Sequence, residues 1–150
     1  MSAISVLSRA RLAAVQFCYQ SLFTDDSPPN TGSFIKHFIE INNDDEIEKK
    51  LDLSFFERLV EHCEQKTEIE EIIQKNLIAG KNLDNAPMMM HCVLIVAVSE
   101  MLCENTDIPI IINEYIEIAK GFLDGSYVRF INAILDKISK QIERKCKKKA

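Results

Sequence analysis

The chain has 150 residues, of which 47% are hydrophobic and 27% charged, and its formal net charge is −5. That length suits one domain with a sizeable core, and the composition excludes a disordered chain. Four glycines and four prolines leave too little turn chemistry for a many-stranded β protein, and no apolar run approaches the length of a membrane span.

In chain order, the first helix is expected from Ser5 to Phe23, with Leu7, Ala10, Ala14, Val15, Cys18 and Leu22 at helical spacing. A loop follows at 24–32, where two prolines stand among small polar residues. A short helix from Ser33 to Ile41 places Phe34, Ile35, Phe38 and Ile39 together, and 42–50 reads as acidic and solvated. Leu53 to Gln65 carries the stripe Phe55, Phe56, Leu59, Val60 and Cys63. Thr67 to Leu77 follows, and Thr67 with Glu70 has the spacing of a capping box. After a loop at 80–85, Pro87 suits the first turn of a helix running to Cys103. That helix is apolar nearly all round, as a helix buried through the middle of a bundle should be.

The last two helices are the clearest. Asp107 and Pro109 mark a helix start, and Ile108, Ile111, Ile112, Tyr115, Ile118, Ala119 and Phe122 recur at helical spacing. The run breaks at Asp124-Gly125-Ser126, a turn that can also cap the next helix. Val128, Ile131, Ile134, Leu135, Ile138 and Ile142 then form a stripe, with Arg129 and Phe130 beside it. The fold class is all-α, with about seven helices in a single domain over 1–150.

Charge is unevenly spread. Lys137, Lys140, Arg144, Lys145, Lys147, Lys148 and Lys149 crowd the basic end at 137–150 against Glu143 alone. The body before it is therefore more acidic than the net charge suggests, which disfavours indiscriminate nucleic-acid binding. The tail itself reads as a solubilising terminus.

Catalytic and metal-binding chemistry finds little support. His62-Cys63 and His91-Cys92 are adjacent pairs, and helical neighbours point about 100° apart, so neither pair closes on one ion. Neither C-x-x-C nor H-E-x-x-H occurs, and the glycines are scattered. Glu114 and Glu117 lie three residues apart on what reads as an exposed face, Glu117 within reach of Lys120. No enzyme activity, metal or cofactor is expected. Met1–Leu7 is too short and polar for a secretory signal, and the five cysteines form an odd set without framework spacing. Reduced thiols in the cytoplasm, with no membrane association, are the expectation.

Three segments carry a resemblance. The run DIPIIINEYIEIAKGF, the turn after it and RFINAILDK resemble the C-terminal end of the NusB family of bacterial transcription antitermination factors. Arg9-Ala10-Arg11-Leu12-Ala13-Ala14-Val15-Gln16-Phe17-Cys18-Tyr19-Gln20 is similar to the family's opening helix, R-x-x-A-x-Q-x-[LC]-Y-Q. Val93 to Met101 resembles its L-R-x-A-x-Y-E-L helix. Together they cover about half the chain. The resemblance implies two three-helix bundles packed roughly at right angles around a shared central helix.

It also implies a function. Such a protein binds single-stranded boxA-type RNA of ribosomal RNA leaders together with the small-subunit ribosomal protein NusE, as a monomer or weak homodimer. Through that complex it joins the transcription elongation complex indirectly and supports processive ribosomal RNA transcription. Cations on phosphates and aromatics on bases are the side chains that grip single-stranded RNA. The corresponding RNA-binding candidates are Arg9, Arg11, Gln16, Tyr19, Arg129 and Phe130. Other roles stand beside these: ordinary surface charge for Arg9 and Arg11, core closure for Tyr19, and packing between bundles for Phe130. Glu100, Asn113 and Glu114 also match the family and read as helix–helix hydrogen bonding. Val6-Leu7-Ser8 stands where family members often carry further basic residues, Ile95 where arginine is usual and Ser99 where tyrosine is usual. That thin basic cluster supports the alternative of a helical adaptor that keeps NusE binding with little RNA affinity of its own.

Overall fold

Seven helices make up the described part of the computed structural model, which covers residues 5–22, 31–41, 51–77 and 86–142. They are α1 (Val6–Ser21), α2 (Thr31–Ile41), α3 (Leu53–His62), α4 (Lys66–Lys75), α5 (Met88–Cys103), α6 (Ile108–Lys120) and α7 (Gly125–Ser139). Most of the loop expected at 24–32, the acidic stretch 42–50, the loop 80–85 and the tail beyond residue 142 lie outside the described residues.

Helix starts follow local chemistry, with three departures. Ser5 caps α1 by accepting from the Ser8 amide at 3.0 Å, and Asp52 caps α3 by accepting from the Phe55 amide at 3.0 Å. Asp107 and Asp124 occupy the cap positions of α6 and α7 with extended backbones, but their side chains accept no cap bond. Their carbonyls accept the first intrahelical bonds as in the other helices, Asp107 receiving the amides of Ile110 and Ile111 and Asp124 that of Val128. The capping box expected at Thr67 and Glu70 does not form. Helix α4 begins at Lys66, so its cap position is Gln65, two residues before Thr67, and the Gln65 carbonyl takes the Ile69 amide at 3.2 Å.

Helix α5 is the axis of the molecule. From Cys92 to Leu102 every residue is buried, as an all-round apolar sequence requires. It packs against α1, α3, α4, α6 and α7. On one side an aromatic cluster joins α1, α2 and α3: Phe17 meets Phe34 edge-on at 5.2 Å, and Phe34 stacks on Phe56 at 5.9 Å. Elsewhere α7 packs on α6 and α4, burying Ile131, Ile134, Leu135 and Ile138. Phe122, expected in the α6 stripe, lies past the end of that helix and is exposed. The C-terminal end of α3 is tied to α5 by polar contacts, His62 at 2.8 Å and Arg58 at 3.2 Å from Glu104. No described helix is long and apolar enough to cross a membrane.

Candidate nucleic-acid interface

Helix α1 divides the RNA-binding candidates. Arg9, Leu12, Gln16 and Tyr19 follow one another at steps of three or four residues, so they share a face. All four are half-buried at the edge of the core. Arg11, only two residues from Arg9, is turned about 200° away. It is 3% exposed.

The expectation that Arg11 is an exposed RNA contact is therefore corrected. Its guanidinium forks onto the Glu100 carboxylate of α5, Nε at 2.9 Å from Oε1 and Nη2 at 2.8 Å from Oε2. Nη1 reaches Glu114 of α6 at 3.2 Å. The same group lies 5.1 Å from the ring centre of Phe55 on α3. A charge this deep persists only when paired and hydrogen-bonded. Burial alone would lower the Arg11 pKa, but the Glu100 hydrogen bond and charge, with smaller help from Tyr115 and Glu114, hold it above its ordinary value.

Glu100 is fully buried and collects further donors, the Tyr115 hydroxyl at 2.8 Å and the Thr106 hydroxyl at 2.8 Å. Burial pushes the Tyr115 phenol well above the usual tyrosine range, and the charge and hydrogen bond of Glu100 push it further. Glu114 also accepts from the Ser8 hydroxyl. Glu100 and Glu114 thus do the helix–helix hydrogen bonding expected of them, whereas Asn113 is exposed. Glu114 is not on the exposed face assigned to it beside Glu117. Glu117 does pair with Lys120, at 3.0 Å.

The burial of Arg11 had a sequence signal. Arg11 stands four residues before Val15 and seven before Cys18, inside the apolar stripe. Glu100 is an acid within a helix otherwise apolar all round, and such an acid requires a cation. The roles of Tyr115 and Thr106 had no comparable signal, because Tyr115 fits its apolar stripe without the hydroxyl.

On α7, Arg129 is exposed and Phe130 half-buried against the core. Being neighbours, they point about 100° apart. Arg129 lies beside Asn132 and Asp136 in a groove whose other wall is Ile108, Pro109 and Ile112 of α6. Its Nη1 sits 3.5 Å from where a Cβ on Gly125 would stand, so the side chain folds back over the start of α7. Phe130 shares its face with Lys137, two turns on, whose ammonium donates to the Asn76 carbonyl at the end of α4. Helices α1 and α7 both pack on α5 and α6. The candidates therefore form two groups on elements with common supports: Arg9, Gln16 and Tyr19 on α1, and Arg129 and Phe130 on α7.

The NusB family model matches residues 8–140. The chain belongs to the NusB family. It is 33% identical to the transcription antitermination protein NusB of Rickettsia massiliae over 149 residues, covering 94% of this chain and 96% of that one. The corresponding protein of Rickettsia bellii is 35% identical, with 94% of each covered. Among solved structures, NusB of T. maritima superposes with a TM-score of 0.72 at 26% identity, covering 89% of this chain and 90% of that one. A second, NusB in a complex of antitermination factors NusB and NusE with double-stranded RNA, gives 0.71 at 20% identity, covering 90% and 96%. This chain is thus a NusB-family transcription antitermination protein with an all-α, NusB-like fold, a non-enzymatic class.

Proposed function

We propose that this protein binds boxA-type RNA together with NusE in the cytoplasm, and through that complex supports processive transcription of ribosomal RNA. The observation that carries the reading is full-length similarity to NusB antitermination proteins. A structural neighbour's assembly with NusE and RNA supports it. We assign RNA contact to Arg9, Gln16 and Tyr19 of α1 and to Arg129 and Phe130 of α7, in a single domain acting as a monomer or weak homodimer. Arg11 is left out because its guanidinium is buried and committed to two carboxylates.

The adaptor reading draws on the same fact. Without Arg11, only Arg9 and Arg129 remain as cations in the assigned site, on an acidic body. Few phosphate contacts give weak binding and a shallow salt dependence, with a slope of about −0.7 per neutralised phosphate on single strands. Titration of labelled boxA RNA, single-stranded and double-stranded, with and without NusE, tests both readings. Weak binding alone and tighter binding with NusE is the expected result. NusE binding with no RNA affinity in any combination would favour the adaptor.

A further inference from the structure

We propose that the buried Arg11–Glu100 pair is a positioning device, which sets the rotation of α1 about its axis so that Arg9, Gln16 and Tyr19 face RNA together. The inference rests on the RNA-binding reading above and adds residues that themselves touch no RNA.

The packing of α1 explains why such a device is needed. Around Arg11 its buried face consists of small side chains, Ala10, Ala13 and Ala14, all at most 1% exposed, with the larger Val15 and Phe17 further along the helix. Burial of apolar surface is not directional, and methyl groups offer shallow ridges to a neighbouring helix. The alanines by themselves would set the rotation of α1 only loosely, and Phe17 is the large apolar anchor that adds to them. A guanidinium–carboxylate fork tolerates far less rotation, because two parallel hydrogen bonds fix both distance and plane.

The fork is also anchored from every side. Arg11 alone connects α1 to α5 through Glu100, to α6 through Glu114 and to α3 through Phe55. Ser8, one turn earlier, holds Glu114 a second time. Thr106 and Tyr115 hold Glu100 from the start and middle of the α6 region. A network satisfied in this way is rigid. Because Arg11 and Arg9 lie about 200° apart on the helix, any rotation that breaks the fork swings Arg9, Gln16 and Tyr19 by the same angle. Buried ion pairs commonly add little net stability over well-packed apolar residues, so selecting one arrangement is the property such a pair is fitted to supply.

The test separates positioning from contact and from bulk stability. Affinity for labelled single-stranded boxA RNA in the presence of NusE is measured well below the melting temperature of each variant. Amide hydrogen exchange is followed along α1 and α7. Glu100→Gln changes no group assigned to RNA, yet it should weaken binding roughly 2- to 30-fold and speed exchange in α1 ahead of α7. Arg11→Lys, which keeps the cation and loses the fork, should weaken binding in the same range. The double variant Arg11→Met/Glu100→Leu should recover much of any lost melting temperature without recovering affinity. If folded Glu100→Gln binds like the parent, the inference is overturned and the pair is structural only. If Arg11→Lys alone keeps parental affinity, a direct contact is the better account. If the parent protein binds no RNA at all, the RNA-binding reading fails, and the inference fails with it.

Discussion

The two faces of α1 carry similar side chains to different ends. Arg9 sits half-buried on a face shared with Gln16 and Tyr19, whereas Arg11 is buried against Glu100, Glu114 and Phe55. Both are arginines near the start of one helix, and the one arginine of the family's pattern falls on Arg11. What separates them is angle, since two residues of α-helix turn the chain about 200°. A basic residue type therefore says little about nucleic-acid binding until its position is set against the apolar stripe of its own helix.

The strongest way to break this contrast is to remove Arg11. Arg11→Ala leaves Glu100 buried without its cation, and losing one partner of a buried pair typically costs about 3–5 kcal/mol. Chemical denaturation should show a loss of that size. A variant as stable as the parent would mean that burying Glu100 without its cation costs little, and that α1 has one kind of face rather than two.

The next effect comes from the same network. Tyr115→Phe removes a hydrogen bond to a buried carboxylate, a class of bond contributing about 1.5–3 kcal/mol, and leaves the ring in place. It should also change the alkaline limb of stability. The Tyr115 phenol is raised well above its ordinary value in the folded protein, while an unfolded tyrosine titrates near pH 10. Above about that pH the unfolded chain releases a proton that the folded chain keeps, so stability falls as pH rises. Below it the contribution is fully present. Denaturation between about pH 8 and about pH 11 should show the parent losing stability more steeply than Tyr115→Phe. Parallel curves would remove Tyr115 from the network.

Much of the fold was legible in the sequence because it is written in helical periodicity. Helix α5 reads as buried from its unbroken apolar run, and it is buried. The elements α6 and α7 follow from Asp107, Pro109 and the break at Asp124-Gly125-Ser126. Helix ends were less legible: Thr67 and Glu70 have the spacing of a box, yet α4 starts at Lys66 because the backbone of Gln65 already closes the first turn. The architecture around α5 came from resemblance, since periodicity identifies the buried face of a helix without naming what covers it. The candidate site was harder still. Arg11 and Glu100 are 89 residues apart, and no local pattern pairs them. Their partnership was recoverable only by asking which cation answers an acid in an apolar helix.

A smaller effect sharpens the comparison at α7. Phe130 is half-buried, as Arg9 is, whereas Arg11 is buried. Loss of a base stacked on an aromatic ring costs about 1–3 kcal/mol of binding, and a fully buried phenylalanine contributes about 3–5 kcal/mol of stability. Phe130→Ala should lower RNA affinity roughly tenfold or more, with a shift in melting temperature smaller than that of Arg11→Ala. A large melting shift with unchanged affinity of the folded protein would return Phe130 to the core.

The smallest effects are expected at Arg129, the outward counterpart of Arg11. Its side chain is exposed along the groove between α6 and α7, and substitutions at such positions rarely move stability by more than about 0.5 kcal/mol. Arg129→Ala should therefore melt with the parent. Its signature belongs to salt dependence: if Arg129 neutralises one phosphate, its removal should flatten the slope of log affinity against log salt by about 0.7. Arg9→Ala should flatten it by a similar amount, and the double variant by roughly the sum, because the two residues lie on different helices and, on the proposed reading, would meet different phosphates. Arg11→Lys gives the contrast, since it keeps its charge away from RNA and should leave the slope nearly unchanged even where it weakens binding. Equal slopes in the parent, Arg129→Ala and Arg9→Ala would mean that neither cation meets a phosphate, and the outward face of α1 would lose its assignment to RNA.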